Sequence, residues 1–135
     1  MALYTGRYSA ALRSDEPGAA TANHDFPLTN LNGVDATVSN KHGSYGGSIT
    51  VRGLTGSSVN KFHKIIPFTI AHDGSSGFTV TQHTALLSYD SNGTFAMTVT
   101  LSISGSNLRA ALSVAGGDNI RGVESRIELD GWRDV

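Results

Sequence analysis

FHKIIPFTIAHDGSSGFTVTQHTALLSYDSNGTFAMTVTLSISGSNLRAALSVAGGDNIRGVESRIELD, residues Phe62 to Asp130, decides the fold. Apolar residues alternate along it with period two, and clusters of Gly, Ser, Asn and Asp break the alternation, which is the rhythm of strands joined by turns. A one-residue slip would turn every side chain of a strand over, so a register in which successive hairpins share one apolar face is informative. Such a register exists. A loop at Asp73–Gly77 sets Ile70 against Val80, Phe68 against Gln82 and Ile66 against Thr84. A turn at Asp90–Gly93 sets Leu86 against Met97, Thr84 against Val99, Gln82 against Leu101 and Val80 against Ile103. A loop at Ser104–Asn107 sets Ile103 against Leu108, Leu101 against Ala110, Val99 against Leu112 and Met97 against Val114. A last turn at Ala115–Asn119, with a glycine bulge at Gly122, sets Leu112 against Val123, Ala110 against Ser125 and Leu108 against Ile127.

Upstream, Leu3 to Leu12 alternates as a strand, and Val34, Ala36 and Val38 read as a hairpin with Ile49 and Val51 across NKHGSYG. Between them, Ser14 to Asn32 carries Pro17 and Pro27 and reads as a long polar loop or arm. The chain of 135 residues is expected to form a single all-β domain, an antiparallel meander of about eight strands closed as a barrel; a two-layer β-sandwich is the alternative that buries the same face.

Composition narrows function. The net charge is -1 and only 16% of residues are charged, so the basic footprint of nucleic-acid binding is missing. With no cysteine, thiol catalysis and Cys-ligated zinc are excluded. The five histidines show no ready-made ligand spacing, and neither metal nor cofactor is expected. The N-terminal residues lack the apolar core of a secretory signal, and no apolar run approaches membrane-spanning length; the default location is cytoplasmic, away from membranes.

The register places Phe68, Gln82, Leu101, Ala110 and Ser125 in one inward row, where Ala110 leaves room beside an amide that requires a polar partner. Gln82, Thr84 and Ser125 are the expected polar contacts of an interior pocket. Tyr45, in NKHGSYGG, and Tyr8 are the aromatic candidates for a small molecule or glycan; Tyr8 and Trp132 also suit the seam where first and last strands meet. Without a G-x-S-x-G elbow or convergent carboxylates, no catalytic residue is assigned. The expected function is a non-catalytic, homo-oligomeric β-barrel binding module for a small molecule or glycan. The alternatives are a small barrel enzyme acting on a hydrophobic substrate in its interior, and a structural assembly subunit.

Overall fold

The computed structural model describes residues 3–28, 42–73 and 78–134. Among the described residues nine strands follow one another: β1 (Leu3–Asp15), β2 (Thr21–Pro27), β3 (His42–Thr55), β4 (Lys61–Asp73), β5 (Phe78–Gln82), β6 (Leu87–Asp90), β7 (Met97–Ser104), β8 (Asn107–Val114) and β9 (Ile120–Asp134). They form two antiparallel sheets. The large sheet runs β1-β9-β3-β4-β5, with β6 also paired to β4, and the small sheet runs β2-β8-β7. Alternate residues of both sheets face one core that includes Phe26, Ile49, Phe68, Leu101, Leu112 and Ile127.

The expected barrel is corrected here: neither sheet closes on itself, and the two-layer alternative describes the architecture. Of the expected hairpins, the one between β7 and β8 holds residue for residue from Met97↔Val114 to Ile103↔Leu108, and the one between β4 and β5 holds at Phe68↔Gln82 and Ile70↔Val80 but ends there, without the expected Ile66–Thr84 pair. The other two do not form. After β5 the chain continues in the same direction along the edge of β4, where Leu87 pairs with Ile65, before a short 3-10 turn at Gly93–Phe95 carries it to the small sheet. After β8, Gly116 and Gly117 adopt φ of 75° and 78°, which lets the chain leave the small sheet. β9 then pairs with β1 and β3, and β8 pairs with β2. The irregularity expected at Gly122 is present, but it lies against β3, between Leu54 and Thr55.

The reading of Ser14–Asn32 as a loop or arm is also corrected. Ser14 and Asp15 belong to β1, and Thr21–Pro27 form β2, whose His24 and Phe26 are buried, as is Leu28 just beyond it. Residues Val34, Ala36 and Val38, expected in a hairpin with Ile49 and Val51, lie outside the described residues; Ile49 and Val51 sit in β3 between β4 and β9.

Candidate functional site

Gln82, Thr84 and Ser125, expected to meet in an interior pocket, and the aromatic candidates Tyr8 and Tyr45 are spread over the molecule. Gln82 lies at the rim of the large sheet, facing the free edge of β7. Its Nε2 donates to the Val99 carbonyl at 3.0 Å and its Oε1 accepts from the Leu101 N–H at 2.9 Å. The amide thus stands in for a peptide group across the gap between sheets. Thr84 follows β5 on an exposed stretch. Ser125 is fully buried on β9, and its hydroxyl is engaged by His24 Nδ1 at 2.7 Å. Tyr45 is a core residue of β3, not an exposed loop ring. Tyr8, half-buried on β1, is the one that borders a cleft; burial pushes its phenol pKa up.

His24 is the second stitch between sheets. Its Nε2 lies 2.8 Å from Ser14 Oγ on β1, so one imidazole links β2 to β1 and to β9. Burial lowers its pKa against the opposing pull of neighbouring Asp25, and the neutral ring joins two hydroxyls. Sequence reasoning missed this residue, although the alternation Ala22, His24, Phe26, Leu28 was its signal.

The open surface lies on the outer face of the large sheet. Side chains on β9 alternate, Ser125, Ile127 and Leu129 pointing inward and Arg126, Glu128, Asp130 and Trp132 outward. The pairing aligns three outer rows: Thr5–Trp132–Ser44, Arg7–Asp130–Gly46 and Ser9–Glu128–Ser48. Around Gly46 the missing side chain opens a cleft of about 460 Å³, bordered by Arg7, Ser9, Ser48, Glu128 and Asp130. A Cβ placed on Gly46 would meet nothing nearer than the Phe68 carbonyl at 3.9 Å. Gly47 has the opposite reason to be glycine: its Cβ would lie 1.9 Å from the Glu128 carbonyl, so close approach of β3 to β9 excludes any side chain.

Chemically, this cleft combines an arginine whose Nη2 lies 3.9 Å from Asp130, two carboxylates, two serine hydroxyls and, one row along, an indole that is 39% exposed. Carboxylates accept hydrogen bonds, the guanidinium donates them, hydroxyls do either, and an exposed indole offers an apolar face with a polar edge. Both carboxylates are exposed to solvent, away from the apolar enclosure that keeps a carboxylic acid protonated for general-acid chemistry.

No protein-family model and no curated protein matches the chain. Among solved structures, the Acinetobacter baumannii phage AM24 tailspike protein is similar over 96% of this chain and 26% of that one, with 11% sequence identity and a TM-score of 0.48. The chain spans about a quarter of that protein's length.

Proposed function

We propose that this protein is a non-catalytic binding module that takes a saccharide, or a small molecule equally rich in hydroxyls, in the cleft above Gly46. The observation that carries the reading is the pairing of an open, side-chain-free floor at Gly46 with donors and acceptors on both walls and Trp132 beside it. Small-molecule sites of this volume fix orientation with a few polar groups, and a sugar presents both hydroxyls for such groups and C–H faces for an indole. The proposal moves the ligand away from Gln82, whose amide is engaged by the β7 backbone, and from Ser125, whose buried hydroxyl is engaged by His24, to the outer face.

The test is a glycan array probed with wild-type protein and with Gly46→Leu. The variant side chain occupies the cleft without meeting backbone, so its melting temperature is expected to stay within about 2 °C while binding is lost. Equal binding by a folded variant would remove the cleft from the site.

Homo-oligomer formation belongs to the same proposal. Leu86 is 76% exposed, and Leu87 and Tyr89 of β6 are exposed on the outer side of the sheet, an apolar cluster of the kind that subunit contacts cover. Native mass spectrometry is expected to give an oligomer that Leu86→Ser and Tyr89→Ser together reduce to monomer; a monomeric wild type would contradict it.

A further inference from the structure

A second cleft opens on the same outer face. It lies where β9 approaches β3 at Gly122, has a volume of about 600 Å³, and is bordered by Arg13, Asp15, Lys61 and Glu124 over a floor that includes Phe62 and Val123. A Cβ on Gly122 would meet nothing within 4 Å, so here too the absent side chain makes the opening. The two clefts are in register with one another. Gly46 pairs with Asp130 and Leu54 with Gly122, eight residues further along both strands, which separates the clefts by roughly 26 Å at about 3.3 Å per residue.

Between them the outer rows are Ser9–Glu128–Ser48, Ala11–Arg126–Thr50 and Arg13–Glu124–Arg52. No bulky apolar side chain stands in this path. Its serines, threonine and alanine are short, and its long side chains carry flexible charged ends. Charges of both signs alternate along β9, with Arg52 Nη2 holding Glu124 at 3.0 Å, so the track offers hydrogen-bonding groups at each step and no single-sign field.

Resting on the saccharide reading of the first cleft, we infer that the ligand is a linear oligosaccharide laid along the strands, engaging both clefts at once. A single sugar fills only the cleft at Gly46. A chain that reaches Gly122 gains a second contact that is intramolecular once the first is made, so affinity rises with length until the separation is spanned.

The experiment is a calorimetric titration with size-graded malto-, cello- and chito-oligosaccharides and oligogalacturonates, from disaccharide to octasaccharide. In the series that binds, affinity is expected to increase at least about tenfold over that range. Gly122→Leu is expected to abolish the gain with length and leave the affinity of the shortest binding fragment unchanged, whereas Gly46→Leu abolishes binding at every length. If Gly122→Leu lowers the melting temperature, Lys61→Ala supplies the same comparison from the exposed wall of the cleft. Short fragments that bind with no gain in length, or a gain that survives both variants at Gly122 and Lys61, would overturn the two-cleft inference and leave the first cleft standing. Failure of every series at every length would overturn both.

Discussion

Gln82 holds the free edge of β7 with a side chain where a neighbouring strand would use its backbone. Gln82→Leu keeps the size but leaves the Val99 carbonyl and the Leu101 N–H without their partner, so unfolding free energy is expected to fall by about 1–2 kcal/mol in a denaturant titration. An unchanged midpoint would mean that solvent replaces the amide at no cost. His24 carries a pH dependence of defined sign. Its folded pKa lies below the ordinary 6.5, so the unfolded chain takes up the proton first, and stability that is complete above 6.5 declines as pH falls toward the lower folded value. The melting temperature is expected to drop between pH 7 and about pH 5 more steeply for wild type than for His24→Gln; parallel slopes would contradict this. Asp25 and Asp118, both lowered, act only below the carboxylate range and leave that window clear. At this scale the sequence was a partial guide. The inward parity of Gln82 was legible, but not that its amide would find main-chain partners across an open seam. Tyr45 was misplaced because NKHGSYGG resembles a turn; its Gly47 serves close strand packing instead.

Among the elements, the legible hairpins are those whose loops join strands that stay in one sheet. β7 and β8 are linked by Gly105 at φ 59° and keep the expected register throughout. The two expected hairpins that do not form fall at connections that change sheets, β6 to β7 and β8 to β9, and each is fixed by a polar anchor that alternation cannot reveal. At the first, Asp90 on β6 accepts from Lys64 Nζ, the Asn60 amide at 3.1 Å and the Met97 N–H at 3.1 Å, tying β4 and β6 to the start of β7. Burial pushes its carboxyl pKa up, and these bonds outweigh it, leaving a net lowering. At the second, Asp118 receives the N–H groups of Ser57, Ser58 and Asn119 at 2.8–3.0 Å, which fastens the β8–β9 loop to the β3–β4 loop. Burial opposes ionisation there as well, but the backbone donors hold the carboxyl well below its usual range. Lys64 is itself buried, so Lys64→Met would strand the carboxylate of Asp90. A loss of about 3 kcal/mol is expected on chemical denaturation, partly recovered by adding Asp90→Asn; a loss under about 0.5 kcal/mol would class the pair with ordinary surface bridges.

For the whole molecule, the sequence carried the all-β class, the antiparallel order and the meeting of first and last strands, which pair from Leu3↔Asp134 to Asp15↔Gly122. It did not carry closure, because the register test scores faces and says nothing of which sheet a strand joins; β8 and β9 satisfy it equally well on opposite sides of one core. The candidate site was hidden for a related reason. Alternation points to polar residues on an inward row, whereas the cleft arises where glycines leave the outer face bare, and only the pairing of β1, β9 and β3 assembles Arg7, Asp130 and Gly46 into one row. Chemical-shift mapping by NMR tests the central claim most directly, with the saccharide that binds in the array titrated into labelled wild-type protein. Shifts concentrated on the amides of Gly46, Ser48, Glu128 and Asp130 and on the Trp132 indole are predicted. Shifts centred instead on Gln82, Thr84 and Ser125 would return the ligand to the residues first expected to bind it and contradict the account.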